Sequence, residues 1–201
     1  MKKILCLILT IFFFSIISYS QEETKTALLI IDIQNFYFTS EEYPGLVNAL
    51  EASENAKKVL EKFREQNELV IHVRHKSENG FEIHKNVAPL ANEKIFTKTA
   101  INSFVGTELL DYLKENRVSQ LVIIGMQTHM CVEAAVRAAK DYGFNCIVID
   151  EACATRDLEY EDKIIKASDV HASTLETFVY GGYAKVVHIE EFLNNTEKYI
   201  Q

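Results

Sequence analysis

The chain has 201 residues, of which 48% are hydrophobic and 25% charged, and its formal net charge at pH 7 is -8. This length and composition are those of one globular domain with a sizeable core. The acidic balance and the lack of any basic run in the sequence exclude an extended nucleic-acid-binding surface.

Residues 1–20 have the pattern of a secretory signal peptide. Two lysines precede an apolar run over residues 4–17, and a Ser-Tyr-Ser segment follows with small residues at both positions that a signal peptidase reads. The run is short for a membrane span, which needs about 20 residues. We predict a bacterial-type signal cut before Gln21, export to the periplasm or medium, one mature domain over residues 21–201, and no stable membrane span after cleavage. The alternative is an uncleaved anchor.

Six short apolar segments have the composition of buried strands. They are continuous or β-branched runs bounded by turn residues. The predicted strands are Lys25–Asp32, Leu69–Val73, Lys94–Lys98, Leu121–Ile124, Asn145–Asp150 and Lys185–Ile189.

Four segments with helical character lie between these strands. They cover Leu46–Gln66, Val105–Glu115, Val132–Tyr142 and Ala167–Tyr180. Strands that alternate with helices predict a doubly wound α/β fold, in which a mostly parallel sheet of about six strands carries helices on both faces. We therefore expect a Rossmann-like three-layer sandwich.

Three chemically useful side chains fall at the carboxyl ends of predicted strands. They are Asp32, Lys98 and Cys131, and right-handed crossovers bring such ends to one edge of a parallel sheet. Cys131 falls at the start of a predicted helix, where free N–H groups and the helix dipole favour thiolate over thiol. Each residue also has an ordinary explanation, because the aspartate could cap a turn, the lysine could be solvated and the cysteine could be a core residue.

Four segments together resemble the isochorismatase-like cysteine hydrolases, a family that includes nicotinamidase, N-carbamoylsarcosine amidase and ureidoacrylate amidohydrolase. The matching segments are ALLIIDIQNFYF (27–38), FTKTAINSF (96–104), GMQTHMCVEAAVRAAKDYGF (125–144) and VIDEACATRD (148–157).

This resemblance implies that Asp32, Lys98 and Cys131 form a catalytic triad. It also implies a cis peptide between Met126 and Gln127, which would aim the backbone N–H groups of Gln127 and Cys131 at a common oxyanion site. The implied reaction is attack by Cys131 on the carbonyl carbon of a small amide, carbamoyl or ureide compound, with a thioester intermediate. No cofactor is implied for this route.

Two other functions remain open at this stage. A metal-assisted nicotinamidase would need ligands in the loop after the second strand, where His75 and His84 are present but the family's Asp-x-His arrangement is not. We therefore predict no metal. The second alternative is a catalytically silent small-molecule-binding protein on the same fold.

The residues around the predicted triad are less specific. The resemblance implies that Phe36 and Phe81 cover the substrate, although both also fit core or dimer packing. His129 departs from the Asn or Asp of commoner family members, and it could tune the thiolate, line the pocket or make a structural hydrogen bond. Cys146 fits a core position and Cys153 a position near the site. The resemblance further implies a homodimer or higher homo-oligomer.

Overall fold

The computed structural model of the protein describes residues 25–41 and 43–200. The predicted signal peptide and its predicted cleavage position lie outside these residues. Within the described part of the chain, no helix is both long and apolar enough to cross a bilayer.

The core of the molecule is a six-stranded sheet in the order β3-β2-β1-β4-β5-β8, and every neighbouring pair in it is parallel. This confirms the predicted fold class and all six predicted strands. A separate antiparallel hairpin is formed by β6 and β7. The strands are β1 (Lys25–Ile31), β2 (Leu69–His75), β3 (Lys94–Lys98), β4 (Val118–Met126), β5 (Asn145–Ala154), β6 (Leu158–Tyr160), β7 (Lys163–Ile165) and β8 (Lys185–Val187).

Helices cover both faces of this sheet and create two apolar cores. Alternate residues of β1 enter different cores, with Leu29 and Ile31 on one face and Leu28 and Ile30 on the other. The helices are α1 (Ala49–Glu65), α2 (Leu109–Glu115), α3 (Glu133–Asp141), α4 (Ala167–Tyr180), α5 (Ile189–Asn194) and α6 (Thr196–Tyr199), with short 3-10 turns at Asn35–Tyr37 and Lys85–Val87 and a π-helical turn at Thr128–Val132.

The second helix starts later than the sequence predicted. It begins at Leu109 rather than at Val105. Side chains in the preceding segment bond to nearby backbone: the Thr107 hydroxyl donates to the Ser103 carbonyl oxygen at 2.6 Å, and Asn102 Oδ1 accepts from the Phe104 N–H at 2.9 Å. Such local bonds compete with helical ones and favour turns.

The crevice between β1 and β4 is where the strand order reverses, and parallel α/β sheets bind ligands at such a point. Ile31 at the end of β1 lies opposite Gly125 in β4. Gly125 has a φ of 142°, and a Cβ atom there would lie 2.0 Å from the carbonyl oxygen of Ile31. Only glycine therefore allows the two strands to approach next to Asp32.

Gly125→Ala is expected to lower the free energy of unfolding by about 3 kcal/mol or more, because the added methyl group overlaps backbone that cannot retreat. Urea unfolding monitored by circular dichroism measures this change. Gly106→Ala is the matched control, since Gly106 also has a positive φ of 70° but has open space around it. The control should lose only about 1 kcal/mol, and equal losses would refute the close-approach explanation.

Candidate active site

Three chain segments carry the three predicted catalytic side chains to the same edge of the sheet. Asp32 directly follows β1 and has a φ of 52°, and its N–H donates to the Val73 carbonyl oxygen in β2 at 2.9 Å. Lys98 is the last residue of β3. Cys131 lies in the π-helical turn that joins β4 to α3.

The structure brings these side chains into direct contact. Lys98 Nζ lies 2.7 Å from Asp32 Oδ2 and 3.2 Å from Cys131 Sγ. All three residues are buried, with exposed fractions of 0% for Asp32, 1% for Lys98 and 5% for Cys131. Both carboxylate oxygens of Asp32 are buried, and this carboxylate also interacts with the Cys131 side chain through a hydrogen bond. It is therefore an acceptor within reach of the thiol proton.

Burial controls the protonation of the cysteine. It raises the pKa of the Cys131 thiol to about 12, and the nearby Asp32 carboxylate raises it further while Lys98 opposes the shift. This direction is opposite to the one that the start of the helix alone favours. Loss of hydration opposes ionisation of the sulfur at this depth, so the thiol needs a base to take its proton.

Burial also raises the pKa of Asp32 above its ordinary value, although the Lys98 ammonium works in the opposite direction. A carboxylate with a raised pKa is a stronger base. The site therefore places a neutral thiol next to an ion pair whose carboxylate can take its proton.

The turn that carries Cys131 has unusual backbone geometry. The peptide bond between Met126 and Gln127 is cis, at the position that the sequence resemblance implied. The Gln127 carbonyl oxygen accepts from the N–H of Met130 at 3.0 Å and from that of Val132 at 3.3 Å, and the second contact closes the wide π-helical turn.

His129 makes a structural hydrogen bond to the segment that directly follows β5. Its Nδ1 lies 2.6 Å from Thr155 Oγ1. The neighbouring Thr128 Oγ1 lies 2.9 Å from Nδ1 of His171 in α4. Of the roles considered for His129, the geometry favours the structural one.

Gln34 and His75 belong to the site, although the sequence analysis considered His75 only as a metal ligand and gave Gln34 no role. Gln34 is fully buried and its amide bonds both backbone groups of His75, accepting from the N–H at 2.7 Å and donating to the carbonyl oxygen at 3.0 Å. It also donates to the Phe81 carbonyl oxygen at 2.8 Å. A glutamine two residues beyond Asp32 was the available sequence signal.

The aromatic residues near the site include one that the sequence analysis did not select. Tyr37, which the sequence analysis did not select, has its pKa raised by burial, and its hydroxyl interacts with the Gln127 side chain. Phe36 packs against Tyr37 with ring centroids 4.3 Å apart, and the Phe81 ring is covered by the Arg74 guanidinium at 4.1 Å. Tyr37 thus joins Phe36 and Phe81 as a candidate to face a substrate.

The histidines considered as metal ligands have other contacts. His84 stacks on Phe38 with ring centroids 3.8 Å apart, and His75 Nδ1 lies 3.2 Å from Lys98 Nζ. Among the described residues, a group of three potential metal ligands occurs elsewhere, at Asp150, Glu151 and His188.

The three cysteines of the described region, Cys131, Cys146 and Cys153, are buried and free of disulfides. Cys131 is therefore a free cysteine. Cys146 and Cys153 both belong to β5 and both pack in the same apolar core.

The parallel fold and the buried Cys–Lys–Asp cluster at its switch point define the protein as an α/β enzyme. The chain belongs to the isochorismatase family, because residues 26–199 match the isochorismatase domain.

Relatives and solved structures agree with this assignment. The isochorismatase family protein YddQ of Bacillus subtilis is 42% identical over 84% of this chain and 98% of its own length. A crystal structure of a hydrolase assigned to the isochorismatase family from Oleispira antarctica has a TM-score of 0.81 and 38% identity, covering 86% of this chain and 98% of that one. Maleamate amidohydrolase of Pseudomonas putida is 28% identical over 66% of this chain and 73% of its own length. The protein is therefore a hydrolase of this family.

Proposed function

We propose that the protein hydrolyses a carbon–nitrogen bond of a small amide, carbamoyl or ureide compound, with Cys131 as nucleophile and a thioester as intermediate. The observation that carries this proposal is the buried sulfur 3.2 Å from Lys98 Nζ, which also holds Asp32 at 2.7 Å. A nucleophile, a base and a cation in contact are the parts that acyl transfer requires.

The first half of the reaction forms the thioester. As the Cys131 sulfur bonds to the substrate carbonyl carbon, its proton passes to the Asp32 carboxylate. Lys98 stabilises the negative charge that develops on the sulfur as the proton leaves. The backbone N–H groups of Gln127 and Cys131 are proposed to bind the oxyanion. The carbon–nitrogen bond then breaks, and the amine departs with the proton from Asp32.

The second half releases the acid. Asp32 takes a proton from water while the water oxygen bonds to the thioester carbon. When the carbon–sulfur bond breaks, Asp32 returns a proton to Cys131, and the acid leaves. One amide and one water give one acid and one amine, and the enzyme returns to its starting protonation state.

Two observations favour amides as the substrate class. The amidohydrolase name of one relative and a nucleophile suited to acyl transfer both favour amide substrates. A metal-assisted nicotinamidase would require His75 and His84 to leave the contacts described above.

Ammonia release from a panel of small primary amides, carbamoyl compounds and ureides tests the proposed function. The panel includes maleamate and nicotinamide, and each compound is assayed with and without a chelator. We expect release from at least one compound, unchanged by the chelator. Release from nicotinamide alone, abolished by chelation, would support the metal-assisted alternative, and binding without any release would support the silent binding protein.

We also propose that the protein acts as a homo-oligomer. Support comes from the β6–β7 hairpin, where Tyr160 and Ile164 are 67% and 66% exposed. A solution mass of one chain by light scattering would contradict this. Export stays a prediction from the sequence.

A further inference from the structure

Lys98 has more acceptors around its ammonium than it has protons to donate. Nζ lies 2.7 Å from Asp32 Oδ2, 3.1 Å from the Ala100 carbonyl oxygen, 3.2 Å from Cys131 Sγ and 3.2 Å from His75 Nδ1. An ammonium group has three N–H bonds. At any moment, one of the four acceptors therefore lacks a direct hydrogen bond from Lys98.

His75 is held firmly in this arrangement. It is the last residue of β2, directly opposite Lys98 in the register of β2 with β3. The buried Gln34 amide bonds both its backbone N–H and its carbonyl oxygen. Because Lys98 offers only donors, the contact requires Nδ1 to be the unprotonated ring nitrogen, with the proton on Nε2.

The four acceptors differ in strength. A carboxylate and a carbonyl oxygen are good acceptors, and an unprotonated imidazole nitrogen is better than the sulfur of a neutral thiol. We propose that His75 accepts the third proton of Lys98 in the resting enzyme. The ammonium therefore does not donate a full hydrogen bond to the Cys131 sulfur. This inference rests on the proposed function, in which that sulfur is the nucleophile.

The balance changes when Cys131 loses its proton to Asp32. A thiolate forms a strong, charge-assisted hydrogen bond, so the third Lys98 proton moves from His75 to the sulfur. His75 does not touch the reacting atoms and is a positioning residue. The other groups that act electrostatically on the sulfur are Asp32, Lys98 and the Tyr37 phenol.

The rate at which iodoacetamide alkylates Cys131 tests this proposal without any substrate. Below the pKa of the thiol, this rate follows the fraction of thiolate. Removing the competing acceptor in His75→Leu should raise the rate at pH 8 about tenfold, which corresponds to a thiol pKa lower by about one unit. Peptide mapping by mass spectrometry assigns the modified cysteine.

His75→Asn is the matched control, because its side-chain oxygen can take the position of Nδ1 and should keep the rate within about threefold of the wild type. Easier access alone would speed the smaller Asn variant at least as much as the Leu variant. His75→Gln, whose polar atoms lie farther out, should behave like His75→Leu and provides a second test if the Leu variant does not fold.

An unchanged or slower rate in both His75→Leu and His75→Gln would overturn the inference, as would an equal increase in all three variants. The Lys98→Met variant tests the proposed function independently of the inference about His75. It should slow alkylation of Cys131 at least about tenfold, because the thiolate loses its charge partner. If Lys98→Met has no effect, the proposed role of Lys98 is wrong whatever the His75 variants do.

Discussion

Replacement of Cys131 with alanine is expected to lower kcat by about 10⁴-fold or more on any amide that the wild type hydrolyses. The variant has no atom that can form the thioester, and the residual rate then depends on binding and on the surrounding dipoles alone. Ammonia release under saturating substrate measures the effect. Cys131→Ser should be nearly as inactive, since an alkoxide in this buried position is even harder to form than a thiolate.

Cys153→Ala is the control for this prediction. Cys153 is also a buried, free cysteine of the same apolar core, but it pairs with Gly125 in the sheet rather than with the Asp32–Lys98 ion pair. It should keep kcat within a few-fold of the wild type at some loss of stability. Activity that survives in Cys131→Ala and disappears in Cys153→Ala would place the nucleophile elsewhere.

Asp32→Asn is expected to lower kcat by about 10³-fold, since the amide has the shape of the carboxylate but cannot accept the thiol proton. The pH profile gives a second readout. Wild-type kcat/KM should fall as pH drops through the pKa of Asp32, and burial raises that pKa above the ordinary value. Any residual activity of the Asn variant should lack this acidic limb.

Loss of activity in Asp32→Asn could also reflect disruption of the buried ion pair. Leaving the Lys98 ammonium unpaired at 1% exposure should lower the free energy of unfolding by about 3–5 kcal/mol. The double variant Asp32→Asn/Lys98→Met removes both charges and should regain much of that stability without regaining activity. Recovered turnover in the double variant would show that Asp32 is structural rather than a base.

The sequence predicted those strands whose local hydrophobic pattern matches their position in the fold. Leu28 to Ile31 and Leu121 to Ile124 are apolar on both sides because helices cover both faces of the sheet, so each strand can be recognised without its neighbours. The β6–β7 hairpin was missed because five of its six strand residues are exposed and it lacks a buried face. The short helices α5 and α6 were missed because they have too few residues to show a period.

The residues of the site show the same distinction between what the sequence predicts and what depends on tertiary contacts. Asp32, Lys98 and Cys131 could be predicted because each follows a strand whose carboxyl end has a fixed place in a parallel sheet. The role of His75 depends on its pairing with Lys98 across two strands, and that of Gln34 on bonds to residues about 40 positions away. The protonated state of Cys131 depends on burial, which opposes the helix-start argument that the sequence alone supported.

The most direct test of the account is the mass of the enzyme during turnover. Rapid acid quenching of the wild type with an amide from the panel that releases ammonia, followed by peptide mapping, should show the acyl group of that substrate on Cys131. Turnover with no acylated peptide, or with the acyl group on another residue, would contradict the proposal that this sulfur attacks the substrate.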